Sequence, residues 1–347
     1  MKDRLSFLHV MLAAMLLFPG SQRASAGHDA GRRVVFLSNR VGVSRMFDIF
    51  LRDSTGSEVN VNANHPGLGI TSLSAPKLLG TRESVVCFGS GGKTLLEIPL
   101  GAGAVKVLAK LTQASGQISI APDEQALLYT DRVNGKSQVF EADLRQGSAR
   151  NLSSNPWNNS EASYSRDGSW IVFVSDKDSS LSIGVMKRNG GSQRILTNNF
   201  GDDRFPHFSP EGERIVFTSS RSGVHDGQYD LYTIDTSGSR FELLYSNGAY
   251  NTSPIFSPDG KEIMFLSSNF TKKVSHVLLL NCASGSVNIV TGALSFLSQN
   301  ASFSNNGQLI LFEHNTIRDC EIMLYDRQTK SMEDLTQNPS WDCSPSF

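Results

Sequence analysis

Apolar and polar positions alternate along this chain in short runs, and one arrangement of them recurs. The clearest copies read PHFSPEG at positions 206–212 with IVFTS at 215–219, and PIFSPDG at 254–260 with IMFLS at 263–267. Weaker copies lie at 76–88, 120–130, 164–175 and 303–312, so the repeat length is roughly 45 residues. A fixed repeat of this length, built from short strands, is typical of a β-propeller.

Each copy contains signals for four strands, here called a to d. Strand a ends on the aromatic residue before a turn, strand b is the apolar run, and a second turn joins strands c and d, as at 229–235 and 241–244. Residues 29–38 align with a turn and strand b alone, whereas 344–347 align with a lone strand a. We therefore predict an all-β domain over 27–347 with seven four-stranded antiparallel blades, whose C-terminal strand joins the N-terminal strands and closes the ring.

The first 26 residues have the pattern of a secretory signal peptide. Lys2 and Arg4 precede an apolar run at 5–18, and the small residues ASA at 24–26 form a cleavage site near Ala26. The run is shorter than the roughly 20 residues that a membrane span needs. We expect a cleaved, exported chain with no membrane span after cleavage, located in the periplasm or outside the cell.

Composition narrows the possible functions. The formal net charge is −1 and no basic block occurs, so nucleic acid is not an expected partner. The chain has four cysteines and no CxxC pair, which does not favour a disulfide framework or a zinc site. No HExxH, GxSxG or phosphate-binding loop is present, so the sequence favours a non-enzymatic role and predicts no cofactor.

The loops before strand a and between strands b and c are expected on one face of the propeller, where binding residues usually lie. Trp157, Tyr250 and Trp341 fall in these loops, and an exposed aromatic side chain among polar residues suits a protein interface or a sugar ring. The alternative is that each ring covers the top of its own blade.

A polar residue recurs three places before the proline of strand a, or before its equivalent: Asn159, Asp203, Asn251 and Asp342. Such a ring at the channel mouth could bind a divalent cation or the basic side chains of a partner. The alternative, which the recurrence favours, is that each residue caps strand a or pairs with a basic residue such as Arg221. Arg204, Arg221, His225 and Asp226 complete the predicted binding face.

Cys320 and Cys343 fall in two loops of this same face, next to the predicted ring closure. In an oxidising compartment a disulfide between them would staple the closing blade. Whether these two thiols are bonded or free stays open at this point.

The repeat resembles the TolB-type, WD-like propeller repeat. The resemblance is carried by D-x-x-P-x-F-S-P-x-G-x-x-I-x-F-x-S-x-R at 203–221, the L-Y-x-x-D of 231–235 and the L-T-N-N of 196–199; it is strong over 162–335 and weak before about residue 114. TolB carries an α/β domain before a propeller of six blades, whereas seven blades are predicted here.

The resemblance implies a periplasmic adapter whose protein partner is of the envelope-lipoprotein kind, and we expect the chain to be a monomer. Similar repeats form the seven-bladed oligogalacturonate lyases, so carbohydrate binding or polysaccharide cleavage on the same face is the alternative. The histidine cluster that holds a metal in those lyases has no counterpart that can be named in this sequence.

Overall fold

The computed structural model describes residues 32–40, 47–63, 65, 68, 70, 75–89, 91–197, 201–222, 227–270, 274–291, 294–295, 300–315, 319–338 and 340–347. The predicted signal peptide therefore lies outside the described residues. Residues Arg33–Phe347 form one compact unit.

In the described part of the chain, strands β1 to β29 form seven antiparallel sheets, which are the seven predicted blades. Blade 1 contains β29 (Asp342–Ser346), β1 (Arg33–Ser38), β2 (Asp48–Asp53) and β3 (Glu58–Asn60). Blade 2 contains β4 (Lys77–Leu79), β5 (Ser84–Gly89), β6 (Thr94–Pro99) and β7 (Lys106–Lys110), with a 3₁₀ turn at Gly80–Arg82. Blade 3 contains β8 (Ser115–Ile120), β9 (Ala126–Val133), β10 (Lys136–Asp143) and β11 (Ala149–Asn151).

The remaining blades follow in chain order. Blade 4 contains β12 (Asn159–Tyr164), β13 (Trp170–Ser175), β14 (Ser182–Lys187) and β15 (Arg194–Ile195). Blade 5 contains β16 (Asp203–Phe208), β17 (Arg214–Ser219), β18 (Asp230–Asp235) and β19 (Phe241–Tyr245). Blade 6 contains β20 (Tyr250–Phe256), β21 (Glu262–Asn269), β22 (Val274–Asn281) and β23 (Val287–Ile289), and β24 (Leu294–Ser295) also pairs with β22. Blade 7 contains β25 (Ala301–Phe303), β26 (Leu309–Asn315), β27 (Cys320–Asp326) and β28 (Met332–Asp334).

The ring closes as the two ends of the sequence predict. Strand β29 pairs antiparallel with β1, with Leu37 opposite Cys343 and Ser38 opposite Asp342. The first blade is thus built from both ends of the domain, and its innermost strand is the C-terminal one. This arrangement removes the open sheet edge at the junction.

The core lies between the blades. The apolar run of each strand b is buried on both faces, and seven clusters of buried residues each join two neighbouring blades. The cluster between blades 7 and 1 contains Phe36 and Val34 on one side and Ile322 and Leu324 on the other. Because each buried side chain of this size stabilises the fold by about 1.5–3 kcal/mol, these interfaces hold the ring together.

Candidate binding face at the loop end of the propeller

The four recurring polar residues lie in one row at the loop end of their blades. Each is at or next to the start of the innermost strand and is 0% exposed. Each lies opposite a serine at the end of strand b: Asn159 opposite Ser175, Asp203 opposite Ser219, Asn251 opposite Ser267, and Asp342 opposite Ser38. We call these four residues the buried row.

In blade 5 the row is occupied by an ion pair. Arg221 follows Ser219 by two residues, and its Nη2 donates to both carboxylate oxygens of Asp203 at 3.0 and 2.9 Å. Its Nε donates to Ser219 Oγ at 2.9 Å, and its guanidinium lies 3.9 Å from the centroid of Phe241. Such a hydrogen-bonded pair satisfies a carboxylate that is removed from water.

Blade 1 repeats this arrangement with different residues. Arg40 Nε donates to Ser38 Oγ at 2.9 Å, and its Nη2 donates to Asp342 Oδ2 at 3.0 Å. The Arg40 guanidinium lies 4.5 Å from the centroid of Phe50. The pairing with a basic residue, which the sequence left as the alternative for the polar ring, is therefore what the structure contains in both blades that carry aspartate.

Blades 4 and 6 carry asparagine in the row. Asn159 Nδ2 donates to Asn155 Oδ1 at 2.7 Å and to the Trp157 carbonyl at 3.0 Å. Asn251 Nδ2 donates to the Tyr229 carbonyl at 2.8 Å and to Asn247 Oδ1 at 3.0 Å. These neutral amides tie the preceding loop to the innermost strand.

The innermost strands bulge just after the row. Glu161, Phe205, Ser253 and Ser344 each follow a row residue by two places and have φ between 52° and 54°. Arg204, predicted on the binding face, lies at such a bulge, and its Nη2 donates to Glu161 Oε1 of blade 4 at 2.7 Å. The other Glu161 oxygen accepts the Phe205 backbone N–H at 2.7 Å, so this pair links two blades at the channel mouth.

Aromatic side chains give the loop face its exposed apolar surface. The ring centroids of Tyr229 and Tyr250 are 5.2 Å apart, and those of Tyr250 and Phe270 are 5.3 Å apart. Phe270 is 55% exposed and Trp341 is 44% exposed. We call Tyr229, Tyr250 and Phe270 the aromatic cluster. Of these three residues, only Tyr250 was predicted from the sequence. The signal for Tyr229 and Phe270 is their position, since each is an aromatic residue at the loop end of a strand.

Trp157 differs from Trp341 in its surroundings. It is partly buried, and the Lys177 ammonium lies 5.1 Å from its ring centroid. Lys177 occupies the position that Arg221 has in blade 5, two residues after the serine, but it turns to the tryptophan and not to Asn159. His225 and Asp226 fall at 223–226, outside the described residues.

The disulfide between Cys320 and Cys343, which the sequence left open, is not formed in the structure. Cys320 and Cys343 are both free thiols. Cys343 packs against the cluster between blades 1 and 2, whereas Cys320 is on the same face of β27 as Ile322 and Leu324, which belong to the cluster between blades 7 and 1. The two side chains thus point toward different interfaces, although they lie close enough that, besides burial, Cys343 contributes to the raised pKa of Cys320. Burial raises the pKa of the Cys343 thiol to about 12, which keeps it protonated and unreactive near neutral pH.

Two further properties concern the described residues alone. They contain no group of three or more His, Cys, Asp and Glu side chains arranged to hold a metal ion. No helix among them has the length and apolar character that crossing a bilayer would need.

Comparison with protein families places these features in a known context. Residues 197–347 match the family model of the TolB beta propeller domain. An uncharacterized protein of Agrobacterium fabrum is 30% identical over 129 residues, which are 36% of this chain and 44% of that protein. The chain thus spans less than half the length of this curated relative.

Several solved structures share the fold. TolB from Acinetobacter baumannii matches with a TM-score of 0.55 and 19% identity over 87% of this chain and 79% of its own. A puromycin-hydrolyzing peptidase of Mycobacterium tuberculosis matches with a TM-score of 0.68 and 12% sequence identity, and the match covers 84% of this chain and 50% of the peptidase. An oligogalacturonate lyase of Vibrio parahaemolyticus matches with a TM-score of 0.60 and 11% sequence identity, and the match covers 87% of this chain and 84% of the lyase. At these identities the likeness concerns the fold alone.

Proposed function

We propose that this chain, a TolB-like β-propeller, is an exported, non-catalytic scaffold that binds a protein partner through its loop face. Export rests on the signal-peptide pattern of residues 1–26, with cleavage near Ala26 and delivery to the periplasm or cell envelope. The partner is of the envelope-lipoprotein kind that the TolB resemblance implies, and the propeller acts as a monomer. Because a propeller fold hosts many activities, the argument for binding comes from the face itself.

The observation that carries the proposal is the aromatic cluster with its exposed edge at Phe270. Aromatic residues are enriched among the few side chains that supply most of the energy of a protein interface. Two ion pairs on this face are already formed within the propeller, Arg204 with Glu161 and Arg221 with Asp203. A partner can therefore cover these two pairs without separating either charge from its counter-ion, and the affinity comes from the rings.

Photo-cross-linking tests the position of the interface. A photoreactive amino acid replaces Phe270 in residues 27–347, and the protein is incubated with the cell-envelope extract of its own source. A matched control carries the same probe at Ile289, which is 63% exposed on the outer strand of the same blade. We expect one protein to be captured from position 270 and not from 289, with its identity read by mass spectrometry.

The captured protein is then purified and its affinity measured by calorimetry. Phe270→Ser should weaken binding by about 10- to 100-fold, as expected for an interface residue of this kind, whereas Ile289→Ser should change it less than about twofold. Equal capture from both positions, or equal affinities of both variants, would overturn the proposal.

A carbohydrate ligand on the same face is the second candidate. It is favoured by Trp341, whose indole is 44% exposed on a polar loop, since an exposed ring of this kind can stack on a sugar. Binding to a glycan array, lost in Trp341→Ala and kept in Phe270→Ser, would favour this candidate over the protein partner.

A further inference from the structure

One position recurs on all seven innermost strands, one level below the buried row. It is the residue that lies opposite the third residue of strand b in every blade. Ile255 occupies it in blade 6, and the others are Lys77, Ser119, Ser163, His207, Ser302 and Ser346. Because the strands surround the channel at equal register, these residues form a ring at one level, which we call the channel ring.

The channel ring is rich in hydrogen-bond donors and contains no acidic residue. It combines one ammonium, one imidazole and four hydroxyl groups. Ser163 Oγ already donates to the Pro206 carbonyl at 3.4 Å, and Ser346 Oγ donates to the Phe347 carbonyl at 3.1 Å. The groups left to donate to an oxyanion are therefore Lys77, His207 and the hydroxyls of Ser119 and Ser302. Within the channel ring, His207 Nδ1 and Ser302 Oγ are buried without a hydrogen-bond partner among the described residues, as are the Oδ1 atoms of Asn159, Asn251 and Asp342 in the buried row. Buried polar atoms are rarely left unsatisfied in this way, so each calls for a partner that the protein itself does not supply.

Charge accounting along the innermost strands singles out Lys77. Within the described residues, the other charges of these strands are paired: Asp203 with Arg221, Asp342 with Arg40, and Glu161 with Arg204. Lys77 forms no ion pair there, although it is partly buried. A charge removed from water without a counter-ion is costly, and proteins normally pair it.

Burial alone lowers the pKa of Lys77, to about 8, and no neighbouring charge is among the causes. Burial also lowers the pKa of His207, to about 4, so the imidazole is neutral at pH 7 and offers one N–H. Lysine still carries its proton at pH 7. Within the described part of the chain, the ring therefore presents one cation without a counter-ion among neutral donors.

We propose that the channel ring binds a small oxyanion such as inorganic phosphate or sulfate, with Lys77 as its counter-ion and Ser119, Ser302 and His207 as further donors. This proposal is independent of the partner-binding face, since the ring lies below the buried row and uses none of the aromatic cluster. Bound anion should raise the pKa of Lys77, and deprotonation of Lys77 should release the anion as the pH rises through that raised pKa, above about 8.

Calorimetric titration of inorganic phosphate into residues 27–347 at pH 7 tests the site. Lys77→Met removes the charge at similar length, Lys77→Arg keeps it, and Lys93→Met is the matched control because Lys93 is exposed on the same blade. We expect Lys77→Met to weaken phosphate binding by about tenfold or more, as the loss of a charge-assisted hydrogen bond predicts, with less than a twofold change in Lys93→Met.

The folded state of each variant is checked by circular dichroism, and Lys77→Met should melt no lower than the parent because it removes an unpaired charge. Sulfate should displace phosphate, whereas sodium chloride at the same ionic strength should not. Equal phosphate affinity in Lys77→Met and the parent would overturn the proposal, as would displacement by chloride as effective as that by sulfate, or no measurable binding at millimolar phosphate.

Discussion

Blades 1 and 5 differ from blades 4 and 6 at one place, the buried row. In the first two, aspartate stands opposite the serine and an arginine two residues beyond that serine closes on it. In the other two, the residue two places after the serine is Lys177 or Asn269, and the row residue is asparagine, whose side-chain amide is neutral. In each of these four blades, the charge of the row residue therefore matches the residue that follows strand b: aspartate stands where an arginine reaches it, and asparagine where none does.

This matching shows what the recurring polar residues do. A buried carboxylate is tolerated where a guanidinium reaches it, and an amide replaces it where none does. Although the four residues would form a ring at the channel mouth, all are 0% exposed and each is bound within the propeller. A partner on the loop face would meet the aromatic cluster and Trp341 first, so surface recognition and internal charge pairing are carried by different residues.

The largest effect is expected when the Arg221 guanidinium, the partner of Asp203, is removed from blade 5. Arg221→Met leaves Asp203 buried without its partner, so the free energy of unfolding should fall by about 3–5 kcal/mol. Urea unfolding followed by fluorescence measures the change. Adding Asp203→Asn to Arg221→Met gives blade 5 the neutral asparagine that blade 6 has at this position. This double variant should recover most of the lost free energy of unfolding. If the single and double variants were equally unstable, charge pairing would not be the role of this row.

The converse change adds a charge to a neutral blade. Asn159→Asp replaces the amide that donates to Asn155 Oδ1 and the Trp157 carbonyl with a carboxylate facing both acceptors. The free energy of unfolding should fall by about 2–3 kcal/mol. Adding Lys177→Arg places an arginine where blade 5 has Arg221 and should restore about half of it. If Lys177→Arg raised the free energy of unfolding by the same amount in the parent as in Asn159→Asp, its effect would not come from pairing with the new carboxylate.

A third substitution transfers a neutral residue from blade 3 to blade 7. Gln138 accepts a hydrogen bond from Ser153 Oγ at the start of strand c in blade 3, and Glu321 accepts one from Thr336 Oγ1 at the same place in blade 7. Burial raises the pKa of Glu321 from 4.5 to about 7, and the Thr336 hydroxyl opposes this only in part.

The raised pKa sets the direction of the pH effect. Between pH 4.5 and 7 the folded protein binds a proton that the unfolded chain has released, so stability falls as the pH rises through this range. Glu321→Gln keeps the acceptor and removes the titration. Its melting temperature should exceed that of the parent at pH 8 and match it near pH 4.5, and a parallel pH dependence in both proteins would refute the assignment.

The smallest effect is expected at the two thiols near the ring closure. Since Cys320 and Cys343 face different interfaces, both should be alkylated in denaturant without reductant, giving the full mass shift of free thiols. Cys343→Ser should lower stability by about 1 kcal/mol, because a small half-buried side chain becomes more polar. A mass two units lower, with Cys320 and Cys343 protected together, would establish the staple after all.

The sequence was a strong guide to the fold, because the apolar run of each strand b and its following loop recur in every blade. The half-repeats at residues 29–38 and 344–347 predicted the closing pair of β29 and β1, which the structure confirms. The site was harder to predict. The polar side chains of Asp203 and Asn251 give no sign in the sequence that they are buried. Whether such a residue is buried depends on whether a nearby arginine turns inward or to solvent, which the sequence does not show.

Side-chain direction also explains the other differences. Sequence spacing placed Cys320 and Cys343 on the same face, but the alternation along β27 and β29 sends them to different interfaces. Tyr229 and Phe270 meet Tyr250 across two blades, a contact between residues distant in sequence that no local pattern encodes.

The separation of internal pairing from surface recognition is tested most directly by one binding experiment. Affinity for the cross-linked partner is measured side by side for the Asp203→Asn, Arg221→Met double variant and for Phe270→Ser. We predict that the double variant binds within about twofold of the parent, whereas Phe270→Ser loses about tenfold or more. Loss of binding in the folded double variant with full binding in Phe270→Ser would contradict the account, because recognition would then reside in the buried row.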